Sequence, residues 1–171
     1  CKYLARWALD GTKWYDNQPD GVVYCGNFLY SYKGTMPSNT SINVKNGTVG
    51  ISASFWRQSN LVNITFPDTL EYIPESCFFN CSGLTSIQLP KNLKSIGTEA
   101  FSYCQNLKNI TLPDNVEYIG ALAFNATAWY NNQSDGLVYL NNWLITLKGD
   151  TIKQANTITV KNNTIGIAVN A

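Results

Sequence analysis

LVNITFPDTLEYIPESCFFNCSG at residues 61–83 is followed by LTSIQLPKNLKSIGTEAFSYCQN at 84–106 and LKNITLPDNVEYIGALAFNAT at 107–127. The three stretches carry the same apolar residues in the same order, at a period of 23 residues. A fixed period of about 20 to 50 residues is typical of solenoids, whose units bury their apolar faces only by stacking. The sequence therefore predicts one solenoid domain, with these core columns: Leu61, Leu84, Leu107; Ile64, Ile87, Ile110; Phe66, Leu89, Leu112; Leu70, Leu93, Val116; Ile73, Ile96, Ile119; Phe78, Phe101, Phe124.

Each unit changes its periodicity along its length. Ile87 and Leu89 alternate with polar residues, as in a short strand with one buried face, and Pro90 ends that strand because it lacks an N–H group. Residues 93–96 form a second extended piece. Ala100, Phe101 and Cys104 then stand at helical spacing, which predicts one helical turn over residues 98–104. The predicted fold class is mostly β with short helical turns.

A longer repeat is superimposed on the short one. Residues 1–15 align with residues 116–130 at an offset of 115, which is five times 23. This alignment puts Cys1 and Ala171 in the middle of units, so we expect the chain to continue beyond both ends. Apolar edges are then expected at the ends, with end-to-end self-association as a consequence; they would be formed by Tyr3, Leu4, Trp7, Ile165, Ile167 and Val169.

Two segments of the longer repeat are typical of β-hairpins. Residues 14–34 match residues 129–149, and the pairs Gly26-Asn27 and Asn141-Asn142 tolerate the positive φ of tight hairpin turns. The sequence leaves open whether the hairpins continue the stack or project from it. The predicted units are 1–15 (partial), 16–41 (hairpin), 42–60 (irregular repeat), 61–127 (three regular repeats), 128–157 (hairpin) and 158–171 (partial).

The repeat resembles the BspA type of leucine-rich repeat. The resemblance rests on Leu-x-x-Ile-x-Leu-Pro, Leu-x-x-Ile-Gly and Ala-Phe-x-x-Cys-x-x-Leu, which are found between residues 84 and 107. It implies a curved, right-handed solenoid with a parallel sheet on one face. It also implies a secreted or surface-anchored binding and adhesion protein rather than an enzyme, although no targeting signal is present in this segment.

Composition excludes several function classes. Charged residues make up 13% of the chain, the net charge is +1, and 21 Asn with 27 Ser plus Thr supply neutral polarity instead. No nucleic-acid binding is therefore predicted. No membrane span is predicted either, because no run of about 18 apolar residues occurs.

Catalytic groups are scarce. The chain has no His, the commonest general base and metal ligand, so no catalytic residue, cofactor or metal is predicted. Glu71, Lys94 and Glu117 share a column and should form a charge ladder between coils. Cys81 and Cys104 also share a column; we expect buried free thiols, with a disulfide between coils as the alternative.

The most direct functional hypothesis is a non-enzymatic module that recognises a host or microbial protein, or a glycan, through its repeated surface. The candidate surface consists of small polar strand residues with two tyrosines, which could equally be inert: Asn63, Thr65, Tyr72, Ser86, Gln88, Asn109, Thr111 and Tyr118. The first alternative is a structural spacer in a longer surface protein. The second is a carbohydrate-binding module using the hairpin aromatic residues, unless these only cover the junction with the solenoid: Trp14, Tyr15, Trp129, Tyr130 and Trp143.

Overall fold

The computed structural model describes residues 4–150 and 157–169, so Cys1, Tyr3 and Ala171 lie outside the described residues. Two short helices lie at the entrances to the hairpins, α1 (Lys13–Asp16) and α2 (Ala128–Asn131). The remaining elements are strands: β1 (Gly21–Cys25), β2 (Phe28–Lys33), β3 (Thr40–Asn43), β4 (Gly50–Ile51), β5 (Leu61–Thr65), β6 (Tyr72–Ile73), β7 (Ser86–Gln88), β8 (Ser95–Ile96), β9 (Asn109–Thr111), β10 (Tyr118–Ile119), β11 (Gly136–Leu140), β12 (Trp143–Lys148) and β13 (Gly166–Ile167).

Two parallel sheets run along the stack and confirm the predicted solenoid. The first has the order β3-β5-β7-β9, and its register pairs Ile87 with Ile110. The second has the order β6-β8-β10 and pairs Ile73 with Ile96 and Ile96 with Ile119. Equivalent residues of successive repeats therefore lie side by side, so a column of the sequence is also a row in space.

The hairpins join the stack through their second strands. β2 pairs antiparallel with β1 along its length and parallel with β4 at Phe28 and Leu29; β12 pairs in the same way with β11 and β13. Strands β2, β4, β6, β8, β10, β12 and β13 begin at residues 28, 50, 72, 95, 118, 143 and 166, a spacing of 22 to 25 residues, although they belong to three separate hydrogen-bonded sheets. The part of each hairpin next to its turn thus takes the place of one coil.

The third side of each coil differs from the sequence-based prediction. Residues 98–104 form consecutive turns, with N–H groups bonded three residues back, rather than a helical turn. Glu99 and Tyr103 have φ of +54° and +61°, a left-handed conformation that no α-helix tolerates. The N–H groups of Glu99, Phe101 and Tyr103 instead donate to carbonyls of the following coil at 2.8 to 2.9 Å.

The helical-turn prediction was wrong at this place because the apolar spacing has another cause. Ala100, Phe101 and Cys104 are all buried, but they are placed inward by turns. Backbone hydrogen bonds join these turns to the turns of the neighbouring coil, as they join neighbouring strands in the two sheets. We call this side of the solenoid the turn face; it comprises residues 55–57, 74–80, 97–103 and 120–126.

The core is built from the predicted columns, whose side chains are buried in one continuous cluster, except that Phe66 is partly buried and packs against it. Four Phe rings form its centre, with centroids 5.4 to 5.8 Å apart, and Phe55 extends the predicted row to Phe78, Phe101 and Phe124. Cys77, Cys81 and Cys104 are buried free thiols in this core, as expected. Burial raises the pKa of the Cys104 thiol to about 12, so it stays protonated at neutral pH.

Asparagine side chains connect successive coils. Asn92 Nδ2 donates to Asp68 O at 3.0 Å, and Asn115 Nδ2 donates to Lys91 O at 3.0 Å one coil later. Asn106 makes the same kind of bond to Ser82 O at 2.8 Å. Part of the high Asn content therefore satisfies backbone carbonyls at turns, where the strand ladders are interrupted.

Candidate functional site

The polar strand residues lie in neighbouring strands of the first sheet, as the sequence predicts. Ser86 is paired with Asn109 and Gln88 with Thr111, while Thr65 is paired with Gln88. Gln88, Asn109 and Thr111 are exposed, whereas Asn63, Thr65 and Ser86 are only partly exposed. β3 extends the row with Asn43, whose Oδ1 accepts a hydrogen bond of 2.8 Å from Thr65 Oγ1.

The two tyrosines belong to the other sheet. Tyr72 lies in β6 and Tyr118 in β10, with 45% and 46% of their surfaces exposed, and Ser95 of β8 lies between them. The first sheet therefore presents the polar row alone, and the tyrosines flank a small polar residue in a separate sheet.

The predicted charge ladder is present in one of its two steps. Lys94 Nζ lies 3.3 Å from Glu71 Oε1, and this hydrogen bond raises the pKa of the Lys94 amine. Glu117 makes no ion pair within the part of the chain that the structure describes, although its N–H donates to Lys94 O at 2.8 Å. The column thus holds the register mainly through its backbone.

Trp143 is a core residue rather than part of an exposed surface. Its side chain is 6% exposed, and its ring lies over Gly166 of β13, where an added Cβ would come within 2.6 Å of the ring. Phe28 covers Gly50 in the first hairpin in the same manner. An aromatic ring thus packs on a glycine where each hairpin enters the stack, which the sequence repeat alone did not show.

The other hairpin aromatics mostly cover the junction with the solenoid. The Tyr15 ring meets that of Tyr30 edge to face at 5.4 Å, and the Trp129 ring meets Phe124 in the same way at 6.0 Å. Trp14 alone among the five is exposed, by 41%.

Two lysines cover the tyrosines on the hairpin side. Lys33 Nζ lies 5.8 Å from the ring centroid of Tyr15 and donates to Asp16 O, and Lys148 Nζ lies 5.3 Å from that of Tyr130 and donates to Asn131 O. Cations at a helix C-terminus satisfy its free carbonyls. Both lysines therefore fasten a hairpin to its short helix.

A row of aromatic residues on the turn face was missed at the sequence level. The ring centroids of Trp56 and Phe79 are 6.4 Å apart, and those of Phe79 and Tyr103 are 5.4 Å apart. Trp56 and Phe79 are exactly one period apart in the sequence, but Tyr103 falls one residue out of phase. Because of this one-residue shift, the repeat alone did not indicate that the rings of Phe79 and Tyr103 are neighbours.

Two cavities lie beside the hairpins. The larger, of about 520 Å³, has a mainly apolar lining between residues 4–6 and strands β4, β6 and β8, with Arg6 and Glu75 among its polar groups. The smaller, of about 40 Å³, lies between β12 and the turn face, and its lining includes Phe124, Asn125 and Ile145.

The small cavity has an explanation in the longer repeat. Tyr30 stands in the first hairpin where Ile145 stands in the second; it is fully buried, and its hydroxyl donates to Asp10 Oδ1 at 2.6 Å. Burial raises the pKa of Tyr30 to about 12. Ile145 is shorter, so the space that the phenol occupies in the first copy is left empty in the second.

We expect the substitution Ile145→Tyr to stabilise the protein. Filling about 40 Å³ at about 24 cal/mol per Å³ predicts a gain of about 1 kcal/mol in the free energy of unfolding, measured by urea titration. Asn125 would accept from the new hydroxyl as Asp10 does from Tyr30. The reciprocal Tyr30→Ile should destabilise the protein, and a loss of stability in Ile145→Tyr would show that the two hairpins do not pack equivalently.

Groups for metal chemistry were not found among residues 4–150 and 157–169, where no cluster of three His, Cys, Asp or Glu could hold an ion. No helix in this part of the chain has the length and apolarity needed to cross a membrane. The remaining candidates for a functional site are the surfaces on which equivalent side chains of successive coils lie side by side.

The family model of the BspA type leucine rich repeat region matches residues 29–134 in six copies. The match covers more than half of the chain. The chain belongs to the BspA type leucine-rich-repeat family. Comparison with curated proteins and with solved structures gave no significant match.

Membership of the BspA type family agrees with the geometry. The match begins inside β2 and ends just after α2, so it includes the second strand of the first hairpin as part of the repeat array. Such repeat regions are typically non-enzymatic binding or scaffold modules of bacterial surface proteins.

Proposed function

We propose that this BspA type repeat is an extracellular or cell-surface module that binds a protein through the polar face of its first sheet. The main support for this proposal is the register of β5, β7 and β9, which places equivalent polar side chains next to each other in successive coils. Neighbouring strands lie about 4.8 Å apart, so the face offers hydrogen-bonding groups at a fixed spacing.

The chemistry of this face suits contacts with a neutral polar partner surface. Exposed amide and hydroxyl groups at Gln88, Asn109 and Thr111 both donate and accept hydrogen bonds. Charged groups are missing from these positions, so little desolvation of charge opposes binding. The short side chains of Asn109 and Thr111 also lose less conformational entropy than long ones when a partner covers them.

The two alternatives remain distinct functions. A structural spacer needs only the stacked core and no exposed partner site. A carbohydrate module built on the hairpins has Trp14 as its most exposed aromatic residue, because Trp143 is buried and Tyr15 and Tyr130 are covered by lysines.

The proposal is tested by surface plasmon resonance against a panel of purified extracellular-matrix and cell-surface proteins, with a glycan array in parallel. We expect a protein ligand whose affinity falls about tenfold or more in Asn109→Arg and in Gln88→Arg, because a long charged side chain would stand inside the contact. Gln105→Arg is the matched control, since Gln105 is exposed in the same coil outside the strand row.

The outcomes separate the three functions. Loss of binding in both strand-face variants but not in the control supports the polar face. Loss of glycan binding in Trp14→Ala, with the strand-face variants unaffected, would assign function to the hairpins. Folded protein that binds nothing in either panel would favour the spacer. End-to-end self-association stays a separate prediction; Trp7, Ile165 and Ile167, exposed by 57 to 63%, are the residues to follow.

A further inference from the structure

The turn face carries a group of large side chains that neither the core nor the polar strand face uses. We define the turn-face ladder as Trp56, Arg57, Phe79 and Tyr103, with Arg6 at its end. The three rings are arranged one per coil with centroids 5.4 and 6.4 Å apart; Tyr103 is 42% exposed, whereas Trp56 and Phe79 are half-buried. The parallel row of Phe55, Phe78, Phe101 and Phe124 lies behind it, fully buried.

The fold does not require these side chains. In the coil that contains residues 120–126, Asn125 stands in the column of Phe79 and Ala126 in the column of Tyr103. This coil has no aromatic ring at either position, and it forms the same turns. Arg57, Asn80, Tyr103 and Ala126 form one column, and all four have φ between +55° and +61°. Asn is the residue best suited to that conformation after Gly, so Arg57 and Tyr103 occupy it at some cost.

The ladder has a positively charged end. The Arg57 guanidinium lies 4.1 Å from the ring centroid of Trp56, and that of Arg6 lies 5.7 Å from the same ring. Arg6 also donates to Ser76 O at 3.4 Å. Among the described residues, neither arginine has a carboxylate within 4.0 Å; the ion pairs there involve Lys91 and Lys94.

These two features define the chemistry of a ligand. The face of an aromatic ring is electron-rich and attracts the C–H groups on the face of a sugar ring. A guanidinium without a carboxylate partner in the protein can bind a carboxylate or sulfate of a ligand by paired, charge-assisted hydrogen bonds. A row of rings that ends at two such guanidinium groups therefore fits a short carbohydrate chain with an acidic group.

We propose that the turn-face ladder is a binding site for acidic oligosaccharides, separate from the polar strand face. The acidic group pairs with Arg57 and Arg6 beside Trp56, and the adjoining sugar rings lie on Phe79 and Tyr103. An acidic segment of a protein would find the same charges but would not need a continuous row of ring faces.

The test uses the whole chain and two defined probes, a uronic-acid hexasaccharide and a sulfated hexasaccharide, with a neutral hexasaccharide for comparison. Binding is measured by titration calorimetry and by perturbation of amide NMR signals. We expect acidic probes to bind more tightly than the neutral one, and to bind more weakly as salt is raised, because ions screen exposed charges. The two acidic probes show whether carboxylate or sulfate is preferred.

The matched variants all introduce Asn, the residue that the chain itself has at position 80 of this column. Arg57→Asn should lower the affinity for acidic probes about tenfold and reduce their advantage over the neutral probe, because Arg6 alone then remains to pair with the acidic group. Tyr103→Asn should lower affinity about three- to tenfold. Ala126→Asn lies in the same column outside the ladder and should change nothing. Thermal unfolding of each variant confirms that the fold is kept.

Any one of the following results overturns the proposal. The first is no binding of either acidic probe at millimolar concentration by NMR. The second is equal binding of the neutral probe, or binding that Arg57→Asn and Tyr103→Asn leave unchanged. The third is that an acidic peptide binds with the same dependence on Arg57 and Tyr103 while both acidic oligosaccharides do not. Binding of acidic probes lost in both ladder variants, and kept in Ala126→Asn, supports it.

Discussion

Replacing Phe101 by Ala should lower the free energy of unfolding by about 3 to 5 kcal/mol, because it removes a fully buried ring from the centre of the core. Phe101 stacks on Phe78 at 5.4 Å and on Phe124 at 5.7 Å, with ring planes within 5° and 2° of parallel. The cavity would therefore lie between two coils and weaken both, since each repeat of a solenoid depends on its neighbours.

Urea titration measures this loss, and hydrogen exchange shows where it is felt. The N–H groups of Phe78 and Phe101 donate to the following coil at 2.8 Å, so their protection should fall together. Tyr118→Ala is the control, because this side chain is 46% exposed and lies outside the core. A loss below about 1 kcal/mol in Phe101→Ala would contradict the assignment of the Phe column to the core.

The sequence was sufficient to predict the stacking because the period repeats the same physical requirement in each coil. Ile87 and Leu89 indicated a strand with one buried face, and the structure has β7 at Ser86–Gln88 with Ile87 buried. The two hairpins and the positions of their turns were also predicted, because Gly26 and Asn141 supply the positive φ that these turns need.

The turn face could not be predicted from apolar spacing alone. A helical turn and a chain of β-turns place nearly the same residues inward. The two structures differ in the residues with left-handed φ, which occur in the chain of β-turns and not in a helix. Those residues include Glu99, Tyr103 and Leu122, none of which is typical of that conformation. Hydrogen bonds between coils hold them there, and such long-range bonds leave no local signal in the sequence.

The sequence predicted some candidate surfaces better than others, because only those that follow the repeat period can be recognised from the sequence. The polar strand row follows directly from the period of two, so its placement agreed with the sequence. The sequence left Trp143 open between an exposed binding residue and a residue that covers the hairpin junction, because its partner glycine, 23 residues later, is not evident from the sequence alone. The aromatic row of the turn face escaped notice because Tyr103 breaks the exact period.

Replacing Gly97 by Ala should destabilise the stack by about 1 to 3 kcal/mol or more, because the new methyl group would meet backbone atoms. An added Cβ would lie 2.4 Å from Glu75 N and 2.7 Å from Pro74 C, and backbone cannot move aside as a flexible side chain can. The φ of Gly97 is not positive, so the requirement for glycine comes from the approach of two coils and not from the turn itself. Gly97 N–H also donates to Ile73 O at 2.8 Å, and widening the gap would stretch this bond.

Gly120→Ala should behave in the same way one coil later, where an added Cβ would lie 2.4 Å from Thr98 N. Ser95→Ala is the control, since it changes a neighbouring side chain in β8 without adding an atom between coils, and should cost less than about 1 kcal/mol. The position before Gly97 in the column is Pro74, which borders the cavity of about 520 Å³, so there is open space beside its side chain. Urea titration of both glycine variants measures the effect on the free energy of unfolding. A value equal to that of the parent protein would contradict the prediction. It would mean that the coils tolerate a wider separation and that the register of the second sheet does not depend on the close approach of Gly97 and Gly120.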